Sequence, residues 1–239
     1  MSTTVFVSGG NRGIGLGLVQ KYAARENYTV VATARDPSRM PDVKGGAGSK
    51  VVVIKMDQAK KGGCVEAIEE AKSKGITQFD IVICSAATLL VEGYAPLRNV
   101  PLDVFEEHWR VNVLGFLAVF QATVPLIRKG GKFIFISSGS ATIDQVPRGY
   151  EVTYGISKSG ASYLGHFAHY EEPDLIVFPL DPGWTQTDMG NASAKNAGVD
   201  APPLTIDEST SGMIKVIDEA TRKTHGGKQM RYDGGQNKW

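Results

Sequence analysis

The 239-residue chain predicts an α/β fold, a single doubly wound parallel sheet with helices on both faces. Two observations point there. Short apolar runs alternate along the chain with segments of helical period, the pattern of successive βα units. A glycine-rich turn, Ser8-Gly9-Gly10-Asn11-Arg12-Gly13-Ile14-Gly15, joins the first of those runs directly to the first helix. A chain of this length buries a sizeable core, and α/β domains of this size often stay undivided, so residues 1–239 are expected to form one domain.

In order along the sequence, residues 3–7 read as a buried strand. After the turn, Leu16, Leu18, Val19, Tyr22 and Ala23 recur at helical spacing. A second strand covers 29–34, and a glycine-rich loop at 44–49 leads into a third at 50–55. A helix is expected over 63–74 and a strand over 79–84. Residues 102–128 read as one long helix, with Pro101 near its start and Pro125 bending its last turns. Then come a strand at 132–136, a helix carrying Tyr154, a strand at 175–180, a helix over 206–221 and a short strand at 228–232. Residues 188–205 are rich in Gly, Ala, Asn and Pro without a period; they read as a mobile substrate loop or an ordinary surface connection.

Lys and Arg total 26 against 25 Asp and Glu, a net charge of +1 that gives no reason to expect nucleic-acid binding. Cys64 and Cys84 fit no metal-ligand spacing and are expected to be reduced, buried thiols. His166 and His169 share a helix face, but without acidic or cysteine partners they predict no metal site. No signal-peptide pattern and no apolar run of membrane length stand out, so the expected location is cytoplasmic, with no membrane partner.

A strand, a glycine turn and a helix in that order form a phosphate-binding unit, because the glycines permit close backbone approach and the helix start presents free N–H groups. Its spacing is G-x-x-x-G-x-G, with Gly9, Asn11, Arg12, Gly13 and Ile14 as candidate contacts. Arg35 ends the second strand, where NAD-binding chains carry an acid for the ribose; a guanidinium there suits a 2′-phosphate, and Arg12 can reach the same region. Asp36, followed by Pro37 and Ser38, reads as a turn starter. The expected cofactor is NADP(H). Tyr154 and Lys158, four apart on a helix, meet on one face. An ammonium beside a phenol lowers its pKa toward the working range, which makes the pair a candidate proton-transfer device.

With these residues placed, the chain resembles the short-chain dehydrogenase/reductase family over essentially its whole length, which implies a Rossmann-type domain. The resemblance implies that Ser138 hydrogen-bonds the substrate carbonyl. The interval from Ser138 to Tyr154 is a little long, and Ser140 is a second candidate. It implies that Asn112 supports a water in a proton relay, that Asp57, followed by Gln58, binds the adenine amino group, and that Pro182, Gly183, Thr185 and Thr187 belong to a loop over the nicotinamide. Where the family has Asn-Asn-Ala-Gly, this chain has Cys84-Ser85-Ala86-Ala87; Ser85 and Ala86 remain cofactor contacts, and alanine at 87 narrows the allowed backbone angles. The ending Tyr232-Asp233-Gly234-Gly235-Gln236-Asn237-Lys238-Trp239 and the stretch Asp181-Pro182-Gly183-Trp184-Thr185 are similar to C-factor-type carbonyl reductases, and among them to fungal ketoreductases of the norsolorinic acid type. That implies a small-molecule ketone or alcohol substrate, with Asn112, Ser138, Tyr154 and Lys158 as catalytic residues, and a homodimer or homotetramer. Leu89, Leu90, Val91, Tyr94, Trp184 and Met189 read either as an apolar substrate pocket or as core. An NADP-binding regulatory protein and a non-redox isomerase or dehydratase on the same fold stay open as alternatives.

Overall fold

A computed structural model describes residues 2–144 and 151–238. Trp239, the last residue of the C-terminal motif, lies outside them. Seven parallel strands run in the order β3-β2-β1-β4-β5-β6-β7: β1 (Thr3–Ser8), β2 (Tyr28–Ala34), β3 (Lys50–Lys55), β4 (Phe79–Cys84), β5 (Ile127–Ile136), β6 (Ile176–Asp181) and β7 (Met230–Arg231). The helices are α1 (Gly13–Ala23), α2 (Gly63–Ser73), α3 (Leu102–His108), α4 (Gly115–Thr123), α5 (Val152–Glu171), α6 (Asp188–Asn196) and α7 (Ile206–Glu219). The strands are apolar on both sides because both sides are covered. Alternate residues divide between two cores. Phe6, Val82, Phe133 and Phe135 pack with α2, α4 and α5, whereas Val5, Val7, Ile81, Ile83 and Ile134 pack with α1 and α7.

The strand order reverses between β1 and β4, and the carboxyl ends of those two strands open the crevice in which such sheets bind ligands. Ser8, Gly9 and the segment following Cys84 stand at that point.

Two segments differ from the sequence expectation. The long helix ends at Leu126, not 128, because Pro125 tightens its last turn and Arg128 already belongs to β5. Within it, Trp109–Leu114 forms a π-helical turn. An 18-residue window of this continuous run, Leu102–Leu126, has a mean hydropathy of 1.2, so the helix is long and apolar enough to cross a membrane by composition, contrary to the expectation that no run approaches that length. Its Val113, Phe116 and Val119 are buried instead, with Phe116 packed on Phe133 and Phe135. Burying one such ring stabilises by about 1.5–3 kcal/mol. Finally, residues 188–205 are not an irregular loop. Helix α6 occupies their first half, N-capped by the Thr187 hydroxyl, which accepts from the Gly190 amide at 3.0 Å. Their far end is tied back by Gln186 N–H to Leu204 C=O at 2.8 Å and by a bridge between Thr185 and Leu204. The helical period was hidden because α6 is built of small and polar residues.

Candidate active site

A cleft of about 490 Å³ runs along the carboxyl ends of β1, β2, β3 and β4. Its wall includes Gly9, Asn11, Arg12, Gly13, Ile14, Arg35, Asp57, Gln58, Ser85, Ala86, Tyr154, Lys158, Pro182 and Thr187, so fourteen of the residues singled out in the sequence meet in one place. Asn112, Ser138, Gly183 and Thr185 do not line it. Gly183 takes a left-handed φ of +71° to form the turn, and the buried Thr185 hydroxyl donates to the carbonyls of Pro182 and Gly183 in its own loop. Of the residues read as an apolar pocket, Met189 alone lines this cleft; Val91 and Trp184 are exposed.

The glycine turn fits a pyrophosphate. A methyl group at Gly15 would lie 2.1 Å from the Gly9 carbonyl oxygen, and one at Gly9, whose φ is +66°, would lie 2.9 Å from the Ala86 Cα. No side chain caps α1 and its first turn carries no acid, so its leading amides are left to an anion. At the outer end, Arg12 makes a 3.7 Å contact with Asp188 and Arg39 a 3.5 Å contact with Asp36. Among the described residues no carboxylate pairs with Arg35. Asp36 is occupied as expected: it accepts from the Ser38 amide and hydroxyl at 3.1 and 2.7 Å, and those bonds hold its carboxyl below the usual range. Asp57 accepts from the Ala59 amide at 3.0 Å. Gln58 donates both amide protons, to Ala86 C=O and Val111 C=O, each at 3.0 Å, while its buried Oε1 has no partner among the described residues. An unsatisfied acceptor on the wall matches a donor-bearing ring such as adenine.

The segment that departs from the family pattern is held by neighbours that sequence reasoning did not reach. The Ser8 hydroxyl accepts from the amides of Ser85 and Ala86, both at 3.0 Å. Ala87 is absent from the positive-φ positions, where Asn27 is the sole non-glycine among the described residues, so alanine fits without backbone strain.

At the inner end Ser138 lies near enough to the Tyr154 hydroxyl to pull its pKa down, while its own Oγ accepts from the Ser140 amide at 3.1 Å. Ser140 does not compete for that place, since its own hydroxyl donates to Glu151 at 2.8 Å. Lys158 lies with Nζ 5.6 Å from the centre of the Tyr154 ring and donates to Ile136 C=O at 2.8 Å. Burial pulls the Lys158 pKa down to about 8, opposed by the nearby Cys84. The expected depression of the Tyr154 pKa does not appear. Burial raises it, Glu151, Asp181 and Tyr94 raise it further, and nearby Ser138 alone pulls it down. In a site this enclosed the loss of hydration outweighs the ammonium, so the phenol stays protonated.

Both Asn112 amide protons are committed, to Thr88 C=O and the Ser157 hydroxyl at 2.9 Å each, and its Oδ1 accepts from the Thr88 amide at 2.8 Å. His108, edge-on to Tyr154 at 6.3 Å between ring centres, donates from Nδ1 to Val104 C=O and accepts at Nε2 from the Leu90 amide. Both nitrogens are thereby assigned, and burial keeps the ring neutral. From the C-terminal segment, the buried Gln229 donates to Ser138 C=O at 3.0 Å and Asn237 donates to Asp181 at 2.9 Å. His108, Gln229 and Glu151 carried no sequence signal, because each acts on a residue far away in the chain.

Comparison with known proteins accords with this geometry. The family model described as short chain dehydrogenase matches residues 3–198. A norsolorinic acid ketoreductase of Dothistroma septosporum is 36% identical over 98% of this chain and 91% of its own length; that of Emericella nidulans is 32% identical over 98% and 92%. Among solved structures, the NADPH-bound carbonyl reductase from chicken fatty liver superposes with a TM-score of 0.83 at 25% identity, covering both chains in full. With the glycine cradle, the Ser-Tyr-Lys cluster and these relatives together, the chain belongs to the short chain dehydrogenase family, and is an oxidoreductase that uses a nicotinamide cofactor.

Proposed function

We propose that the protein is an NADPH-dependent ketoreductase acting on a ketone of fungal secondary metabolism, of the aromatic polyketide kind. The observation that carries this is the cleft with Arg35, unpaired among the described residues, at one end and Tyr154 with Lys158, close to Ser138, at the other. The similarity to norsolorinic acid ketoreductases and to an NADPH-bound carbonyl reductase supports the same reading. The bound cofactor would supply a hydride. Gly9, Asn11, Gly13 and Ile14 would hold its pyrophosphate, Arg35 and Arg12 its 2′-phosphate, and Asp57 with Gln58 its adenine. Tyr154, kept protonated by its surroundings, gives its proton to the substrate oxygen as that oxygen gains charge. The Ser138 hydroxyl hydrogen-bonds the same oxygen. Lys158 holds ribose hydroxyls and favours the phenolate once the proton has left. Asn112 would support a relay water; both of its amide protons are already given to Thr88 C=O and the Ser157 hydroxyl, which leaves the acceptor capacity of Oδ1.

The exposed stripe Ile156, Tyr163, Phe167 and Tyr170 on α5, beside exposed Trp109 and Leu114, supports pairing with a second copy of the chain. Phe167→Asp would then shift the sedimentation coefficient to that of a monomer; a parent that already sediments as one excludes the pairing. The function is tested by following NADPH oxidation at the nicotinamide absorbance against aromatic and alicyclic ketones, with NADH in parallel. Ketone-dependent loss of NADPH supports the reading. NADPH binding with product formed but no NADPH consumed would replace it with a non-redox isomerase or dehydratase, and binding without turnover would leave a regulatory protein.

A further inference from the structure

We propose that Glu151 is a positioning residue that clips helix α6 to the substrate side of the cleft, fixing the width of the opening beside Tyr154 and with it the preferred size of ketone. Glu151 stands immediately before α5, three residues ahead of Tyr154. It occupies the N-cap position, yet its side chain makes no cap bond to its own helix. The carboxylate is engaged elsewhere. Oε1 accepts from the Tyr94 hydroxyl at 2.9 Å and from the Ser193 hydroxyl at 2.7 Å, and Oε2 accepts from the Ser140 hydroxyl at 2.8 Å.

These three donors come from three separate stretches. Tyr94 follows the short 3-10 turn Val91–Gly93 beyond β4, Ser140 lies two residues after Ser138, and Ser193 is buried on α6. Among the described residues no cation pairs with Glu151, and the partly buried carboxylate is met by these three hydroxyls; hydrogen bonds to an ionised acceptor are the stronger kind. The approach of the Tyr94 turn depends on Gly93, where a methyl group would lie 2.4 Å from the Thr153 hydroxyl oxygen at the start of α5. Helix α6 also faces the cleft through Met189 and Asn191. A bond at Ser193 therefore sets where the cleft-lining part of the same helix sits, while Thr187 caps its start and Leu204 ties the segment that follows it back to Trp184 and Gln186.

The proposal rests on the ketoreductase reading for its kinetic arm only. Glu151→Gln and Ser193→Ala are compared with the parent protein by hydrogen exchange of the α6 amides and by KM and kcat across ketones of increasing bulk. Both variants are expected to speed α6 exchange by roughly tenfold, leaving β1 and β4 protected. They are expected to raise KM for small ketones several-fold with a smaller change in kcat, and to shift preference toward bulkier ones. The double variant should fall well short of the product of the two single effects, since both remove one bond. Unchanged α6 exchange and KM, or effects that simply multiply, overturn the proposal. If Glu151→Gln does not fold, Ser193→Ala and Tyr94→Phe give the same two readouts. A parent protein that reduces no ketone sinks the ketoreductase reading, and the exchange measurement still decides the clip.

Discussion

The nucleotide side and the substrate side of the cleft are built in opposite ways. The nucleotide side is local: β1, the glycine turn and α1 follow one another without interruption, and the turn makes its own cradle. The substrate side is assembled from residues far apart in the chain, with Ser138 held by Gln229, Asp181 by Asn237, and α6 by Glu151. The first region depends on backbone shape and tolerates little change of side-chain volume. The second depends on single hydrogen bonds, each of which removes one support when deleted.

The sharpest way to break the comparison is chemical. Tyr154→Phe is expected to lower kcat/KM for ketone reduction by about 10³-fold, within the usual range for a lost general acid. NADPH affinity, by nicotinamide fluorescence, should stay within about twofold because the nucleotide side is untouched. An equal loss of both would mean that the two sides are not separable. Gly15→Ala is the counterpart, placing a methyl against the Gly9 carbonyl oxygen at 2.1 Å. It should abolish measurable NADPH binding or lower Tm by several degrees, since such overpacking costs about 1–3 kcal/mol. Next, Arg35→Ala should weaken NADPH by roughly 10- to 100-fold, the worth of a charged hydrogen bond, with NADH changed little. A similar loss for both cofactors would remove Arg35 from the 2′-phosphate.

The pH dependence sharpens the comparison on the substrate side. With Lys158 pulled down to about 8 and Tyr154 raised, kcat/KM for reduction should fall as pH rises through about 8, when Lys158 loses its charge. A profile flat to pH 10 would show that its charge is not needed. The stability effect has the opposite sign. Between about 8 and 10.5 the folded protein has released a proton that the unfolded chain still holds, so Lys158 makes stability rise with pH in that window. The smallest effect belongs to Ala87→Gly: with no positive φ to relieve, glycine should cost about 0.4–1 kcal/mol through the unfolded chain. A gain in Tm would mean that the segment is strained after all.

The nucleotide side was legible because its signal sits in contiguous residues. Gly9, Asn11 to Gly15 and Arg35 reach the cleft wall where the spacing put them, and Asp36 is the turn starter its neighbours implied. On the substrate side Tyr154 and Lys158 were legible for the same reason, being one helical turn apart. Ser138 was preferred over Ser140 by its place in the family pattern, and Ser140 is drawn to Glu151 instead of Tyr154. Helix α6 was missed because small and polar residues carry no apolar period.

The sequence by itself determined the alternation that makes the parallel sheet, the phosphate cradle and the Tyr-Lys pair, since strand period, helix period and turn chemistry act between near neighbours. Tertiary structure alone decided that Tyr154 stays a protonated phenol and Lys158 a weakened base, that Ser8 and Gln58 hold the altered segment after β4, and that Glu151 faces three hydroxyls. Those outcomes depend on burial and on partners brought from distant parts of the chain, and both exist only once the chain has closed on itself.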